Sequence, residues 1–138
     1  RFIIADVLKT PREQMVQVAS YEVSVGSDSV PRAKVTVTYR RKTSTAEASG
    51  DGGYDAFMNA LKKAVKKFRL AVPILQDFRV RIPPGGRTSA LVETVITWRG
   101  EEGEDSWATL GVDSDQLAAA VIATEKMLNA VAGKRGNR

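Results

Sequence analysis

The sequence predicts an α+β fold of two βββα repeat units, with antiparallel sheets covered by helices and a surface left over for dimerisation. Three observations predict it. Short runs alternate apolar and polar residues with the period of a half-buried strand. They come in two sets of three, and an amphipathic helical stretch follows each set. The two sets are offset by about sixty residues, a spacing at which an internal repeat sets the architecture.

Residues 1 to 15 carry Pro11 and the mixed polar stretch Lys9 to Gln14, which predicts a linker from an absent upstream region. The opening Arg1, in place of methionine, suggests a chain cut from something longer. The first unit is expected over about 16–72. From Val16 to Val25, Tyr21, Val23 and Val25 alternate with Glu22 and Ser24, and the cluster Gly26-Ser27-Asp28-Ser29 turns the chain. In the second run Ala33, Val35, Val37 and Tyr39 face one way, and Lys34, Thr36, Thr38 and Arg40 the other. A third strand, Thr43 to Ala48, leads into Gly50-Asp51-Gly52-Gly53. Tyr54 to Arg69 then reads as a helix, with Phe57, Leu61, Ala64, Val65 and Phe68 on one face. Lys62, Lys63, Lys66 and Lys67 form its solvated face, a charge that suits a helix C-terminus. Pro73 closes the unit.

The second unit is expected over about 74–132. Phe78, Val80 and Ile82 alternate with Asp77, Arg79 and Arg81, and Pro83-Pro84-Gly85-Gly86 is a loop. Ala90 to Trp98 reads as a strand with Ala90, Val92, Thr94, Ile96 and Trp98 on one face. Arg99 to Asp105 is an acidic turn, and Ser106 to Leu110 a short last strand. Gly111-Val112-Asp113-Ser114 reads as a second glycine turn before a helix from Asp115 to Val131, whose core stripe is Leu117, Ala120, Val121, Leu128 and Val131. Ala118, Ala119 and Ala123 widen its small-residue surface. Residues 133–138 read as a disordered tail. Tyr39, Trp98 and the alanine face are expected to be left for a dimer interface.

Composition excludes several classes of chemistry. The chain has no cysteine and no histidine, which removes disulfides, thiolate metal sites, a cysteine nucleophile and the commonest general base. No catalytic and no metal-binding residue is predicted. Glu101, Glu102, Glu104 and Asp105 sit together in a turn and read as solvated carboxylates. No apolar run is long enough for a membrane helix, and the first residues do not form a signal peptide, so a cytoplasmic location without membrane partners is expected. The net charge of +5 includes Lys134, Arg135 and Arg138 of the tail. The remaining excess is small, and no nucleic-acid partner is expected.

The turn Gly50 to Gly53 is the sharpest chemical feature. Gly50, Gly52 and Gly53 permit positive φ and close backbone approach. N–H groups at a helix N-terminus receive a carboxylate or phosphate, and Asp51 beside them would accept from an ammonium. That pairing suits a zwitterion such as a free amino acid. A tight strand-to-helix turn with a capping aspartate accounts for the same residues. The Lys-Ser/Thr ending of a P-loop is absent. The bare GxxG of a KH loop is present, but that loop joins two helices and this one follows a strand.

Ala48-Ser49-Gly50-Asp51-Gly52-Gly53-Tyr54-Asp55-Ala56, then Gln76-Asp77-Phe78, Thr88-Ser89-Ala90, Trp107 to Val112 and Ala119 to Ala123 together resemble the C-terminal regulatory domain of the 2-isopropylmalate synthase family, which includes the citramalate synthases. The resemblance covers about residues 16 to 132. It implies paired βββα units that form a homodimer and bind the pathway end product for feedback inhibition: leucine in isopropylmalate synthases, isoleucine in citramalate synthases. Leucine is the expected effector and isoleucine the alternative; an RNA-binding α+β module is the alternative from another class. The resemblance implies that Gly50, Asp51, Gly52 and Gly53 hold the effector's charged end, that Leu75, Phe78, Ile82, Ala90 and Val92 line its side-chain pocket, and that Ala56 also belongs to the effector site. Gln116 is expected to add a contact from the last helix. Gly53 and Phe78 stand where the family usually has proline and often tyrosine. The parent chain would be an acyl-CoA-condensing acyltransferase joining acetyl-CoA to 2-oxoisovalerate. Its divalent metal and acetyl-CoA would be bound by an absent catalytic domain, and this fragment would need no cofactor.

Overall fold

Residues 15–82, 91–100 and 105–136 are described by a computed structural model of the chain. The described backbone divides into two units, one of residues 15–71 with 131–136 and one of residues 72–130.

The first unit opens with three antiparallel strands, β1 (Gln17–Gly26), β2 (Ser29–Tyr39) and β3 (Lys42–Ser49), with β2 in the centre. Register places Val23, Ala33 and Ala48 in one row across the sheet and Tyr21, Val35 and Ala46 in another. This is the apolar side read from the sequence, and Ala33, Val35, Val37, Tyr39 and Ala48 are buried. Helix α1 (Gly53–Val65) covers it and tightens into a 3₁₀ turn at Lys66–Phe68. The helical stripe predicted from spacing is buried in full: Phe57, Leu61, Ala64, Val65 and Phe68. Phe57 meets Tyr21 edge-on with ring centroids 5.8 Å apart, and Phe68 meets Tyr39 edge-on at 5.7 Å. Tyr39 thus belongs to the core of its own unit, not to a leftover surface.

The other face of this sheet is polar. Lys34 stands between Glu22 and Glu47 in the cross-strand register, and the Thr36 and Thr45 hydroxyls are 2.9 Å apart. Along β3, three side chains of α1 and its 3₁₀ extension reach strand carbonyls. Asn59 Nδ2 donates to the Ser49 carbonyl at 2.9 Å, Lys63 Nζ to that of Glu47 at 3.2 Å and Lys67 Nζ to that of Thr43 at 2.8 Å. The donors are spaced i, i+4, i+8, so they share one side of the helix. The acceptors share one parity, so an antiparallel strand turns them to one edge.

The β2–β3 hairpin closes in two residues, Arg40 and Arg41, between the paired Tyr39 and Lys42. Their φ values are 51° and 65°. Two-residue hairpins of the type I′ kind need positive φ at both central positions, which is why Asn-Gly is favoured there. Two arginines in the left-handed region are strained.

The second unit repeats the plan with β4 (Ile74–Arg81), β5 (Val92–Arg99), β6 (Ser106–Asp113) and helix α2 (Gln116–Gly136) as far as Ala130, with β5 central and all pairs antiparallel. Thr94, Ile96 and Trp98 are buried on the predicted face of β5. Trp98 is fully buried and its indole N–H donates to Thr109 Oγ1 at 2.9 Å, so it too is core rather than dimer surface.

Two expectations change here. The last strand runs to Asp113 rather than Leu110, so Gly111 is a buried strand residue and not part of a turn. A Cβ at Gly111 would collide with the Ala119 carbonyl oxygen and lie 2.8 Å from the Ala123 amide nitrogen. The glycine is required because the helix backbone lies directly on the strand, and Ala119 and Ala123 are small for the same reason. The second change is at the C-terminus: α2 continues through Gly133 to Gly136, past the expected start of a disordered tail. Open space surrounds Gly133, and Lys134 after it suits a helix C-terminus.

Candidate functional site

The turn between β3 and α1 is held from three sides. The Gly50 N–H donates to the Pro31 carbonyl at 3.1 Å, tying the turn to β2. The Asp51 N–H donates to Asp55 Oδ2 at 2.8 Å, and the Ala56 N–H to the Gly52 carbonyl at 2.9 Å. Gly52 caps the helix with extended backbone, φ −153° and ψ 179°, and no side-chain cap. None of the turn glycines has the positive φ that the sequence suggested. Proximity explains Gly50 instead: a Cβ there would collide with the Ala56 amide nitrogen and come within 2.7 Å of Asp55 Oδ2. At Gly53 a Cβ would press Val23 and Val25 at 3.3 and 3.4 Å, while at Gly52 it would meet nothing.

Two of the four turn N–H groups are therefore engaged internally. Gly52 and Gly53 keep theirs at the head of the helix, where the first N–H groups have no intrahelical partner. The Asp51 side chain is exposed beside them. The arrangement offers two donors and the helix dipole to an anion, with a carboxylate next to them for a cation. Ala56 is fully buried, and its N–H closes the turn; its part is to support the backbone. Asp55 was missed as a site residue although its signal was present, an acidic residue in the first helical turn placed to reach back to a preceding N–H.

The head of α2 differs. The Asp115 N–H donates to Asp113 Oδ2 and the Ala118 N–H to Asp115 Oδ2, both at 2.8 Å. Its own carboxylates cap this helix start, so its N–H groups are engaged by aspartates rather than left for an anion. Gln116 is exposed as the first residue of α2.

In the second sheet, Phe78 lies opposite Ile96 and Val80 opposite Thr94, which puts them on the same face as Val92. Leu75 lies opposite Trp98, and a bulge follows it. Phe78 and Val92 are half-buried, whereas Leu75 and Ile82 are 39% and 64% exposed, so the edge strand presents an apolar row. Ala90 lies outside the described residues, as do Glu101, Glu102 and Glu104 of the acidic turn. Behind the row, the Thr94 hydroxyl oxygen is buried with no hydrogen-bond partner among the described residues. Arg79 pairs with Asp77 at 2.8 Å and Arg81 with Glu93 at 2.6 Å on the opposite, solvated face. Among the described residues no cluster of His, Cys, Asp or Glu could hold a metal ion, and no helix is long and apolar enough to cross a membrane.

Comparison with known proteins places this geometry. The model of the LeuA allosteric (dimerisation) domain matches residues 1–132. A provisionally named (R)-citramalate synthase CimA of Methanosphaerula palustris is 31% identical over 129 residues, covering 94% of this chain and 25% of that protein. The (R)-citramalate synthase of Geobacter sulfurreducens is 33% identical over 97 residues, 67% of this chain and 18% of its own length. The 2-isopropylmalate synthase of Aquifex aeolicus is 26% identical over 128 residues, 92% of this chain and 23% of its own length. The chain thus spans a quarter or less of each of these relatives. With its three-stranded antiparallel sheets each followed by a helix, and with that match along nearly its whole length, the chain belongs to the LeuA allosteric (dimerisation) domain family.

Proposed function

We propose that this domain is the feedback sensor of an acyl-CoA-condensing synthase, and that its effector is a branched-chain amino acid, leucine. The observation that carries this reading is the β3–α1 turn. Open N–H groups at Gly52 and Gly53 suit a carboxylate, and the exposed Asp51 beside them suits an ammonium. The α-amino and α-carboxyl groups of a free amino acid present those two charges on adjacent atoms. In the second unit, taken by itself, the apolar row of β4 and β5 is a separate candidate surface for aliphatic groups. The parent enzyme would condense acetyl-CoA with 2-oxoisovalerate, using a divalent metal in its catalytic region. The domain would work as a homodimer, in keeping with the family it belongs to.

Isoleucine is the second reading. Relatives named citramalate synthase match this chain at 31% and 33% identity, and the family resemblance pairs that activity with isoleucine. The two effectors differ by the position of one methyl group, a difference worth about 1–3 kcal/mol in an apolar pocket.

Calorimetric titration with leucine, isoleucine and valine tests the proposal. Leucine is expected to bind most tightly, and Asp51→Ala to weaken it about tenfold, the loss of one charge-assisted hydrogen bond of about 1.5 kcal/mol. Absence of heat and of any melting shift with all three amino acids at millimolar concentration would overturn the reading. Sedimentation of the chain as a monomer at micromolar concentration, with and without leucine, would overturn the homodimer.

A further inference from the structure

Asp51 and Gly52 form a pair with a chemistry of its own. Asp-Gly occurs once in the sequence, and Asn-Gly not at all. The carboxyl carbon of an aspartate lies within reach of the next residue's nitrogen, and a glycine there puts no Cβ in the way of ring closure. Folding leaves this pair open. The Asp51 side chain is exposed, and among the described residues nothing bonds its carboxylate. The peptide group that joins the two residues is unbonded as well: neither the Asp51 carbonyl nor the Gly52 N–H takes part in a hydrogen bond among the described residues. Gly52 has extended backbone, and a Cβ built on it would meet nothing within 4 Å. The turn is anchored on either side, through the Asp51 N–H and the Gly52 carbonyl, so the peptide group between them can rotate without breaking a bond.

The other described aspartates differ. The carboxylates of Asp55, Asp113 and Asp115 accept backbone N–H groups, and that of Asp77 pairs with Arg79. The Ala56 nitrogen, which would have to attack Asp55, donates its proton to the Gly52 carbonyl. Asp28 and Asp105 precede serines, whose Cβ crowds the nitrogen.

We infer that Asp51 is a site of spontaneous isoaspartate formation. The Gly52 nitrogen attacks Asp51 Cγ. A C–N bond forms, a Cγ–O bond breaks, and that oxygen leaves as water with the carboxyl proton and the amide proton. Water then opens the cyclic imide. Attack at Cγ breaks the new bond and restores aspartate. Attack at the main-chain carbonyl carbon breaks the original peptide bond, and the chain then runs through Cγ, longer by a methylene, with the carboxylate on Cα. Water is lost and regained, so the mass is unchanged. The extra methylene falls between two anchored points, the Asp51 N–H on Asp55 and the Gly52 carbonyl under Ala56, and so distorts the head of α1. The change lies in the candidate effector turn, and it proceeds whether or not that turn is an effector site.

The test incubates the 138-residue chain at neutral pH and physiological temperature, then follows the tryptic peptide of residues 43–62 by chromatography and fragmentation mass spectrometry. A second species of unchanged mass, with the isoaspartyl linkage at residue 51, is expected to accumulate. Gly52→Ala should slow it by about tenfold, because a Cβ crowds the attacking nitrogen and restricts the backbone. Asp51→Asn should speed it, since the same imide then forms by loss of ammonia, and the product is heavier than the starting amide. Parallel incubation in urea separates the folded turn from the unfolded chain. Reaction confined to unfolded molecules would follow the unfolded fraction, about a thousandth or less under native conditions, so a native rate more than about a hundredfold below the urea rate would overturn the proposal. So would isoaspartate at Asp55 as abundant as at Asp51, a Gly52→Ala chain that reacts as fast as the parent, or an Asp51→Asn chain that keeps its amide.

Discussion

Replacing Gly111 by alanine is the sharpest test of how the second unit is packed. The new Cβ would collide with the Ala119 carbonyl oxygen and stand 2.8 and 2.9 Å from the Ala123 nitrogen and the Ala119 carbonyl carbon. All three are helix backbone, so no rotamer change can relieve the overlap. Ordinary carbon contacts need about 3.5–4 Å, and α2 must therefore lift by roughly 1 Å over this stretch. A gap of that size forfeits a quarter to a half of the dispersion energy of the atoms it separates. Overpacking of a buried site costs about 1–3 kcal/mol, and a backbone obstacle puts this one at the upper end. Alanine regains about 0.5–1 kcal/mol of the conformational entropy that glycine loses in a strand. The net expectation is a destabilisation of about 2–3 kcal/mol, or a fall in melting temperature of about 8–12 °C for a domain of this size. Gly52→Ala is the matched control, since nothing lies within 4 Å of a Cβ there, and its effect should stay within about 1 kcal/mol. Thermal melts followed by circular dichroism would decide. A fall of less than about 3 °C for Gly111→Ala would refute the close approach of helix and strand.

Arg40→Asn/Arg41→Gly should stabilise the first unit by about 1–2 kcal/mol by relaxing two left-handed arginines, and an unchanged or lowered urea midpoint would contradict the turn geometry. Thr94→Val replaces a buried hydroxyl that has no partner among the described residues, and should raise stability by about 1 kcal/mol; a loss of stability would show that the hydroxyl is in fact engaged. Asp55→Ala releases the Asp51 N–H and should lower stability by about 0.5–1 kcal/mol, with Asp55→Asn recovering part of the loss. Faster amide exchange at Asp51 in the alanine variant is the local readout, and unchanged exchange would disprove the bond.

The strand and helix faces were legible in the sequence because burial imposes periods of two and 3.6. Ala33 to Tyr39, Thr94 to Trp98 and Phe57 to Phe68 turn inward as that periodicity requires. The glycines were less legible. Gly50 and Gly111 look like turn residues, yet each is needed for the space a missing Cβ leaves, and sequence does not separate that need from the need for positive φ. The positive φ values fall instead on Arg40, Arg41 and Arg69, where propensity would not place them. Two three-stranded sheets leave apolar positions over in the sequence, which points Tyr39 and Trp98 to an interface, yet both are core. Each has a partner that sequence separation hid, Phe68 for one and Thr109 for the other. Of the candidate site, the β3–α1 turn stood out in the sequence as a helix start, while the capture of one of its N–H groups by Asp55 needed coordinates.

The row of donors from Asn59, Lys63 and Lys67 bears on how this chain can associate. An exposed edge strand invites another strand to add to it. On β3 the carbonyls of Ser49, Glu47 and Thr43 already accept bonds from the helix, so an incoming strand would have to displace two ammonium groups and an amide before it gained a single ladder bond. Growth of the sheet into a fibre is blocked at that margin. The same three bonds link the order of the helix to the order of the edge, so α1 and its 3₁₀ extension cannot fray from this side without reopening the margin. Protection against aggregation and resistance to local unfolding are thereby assigned to the same three side chains.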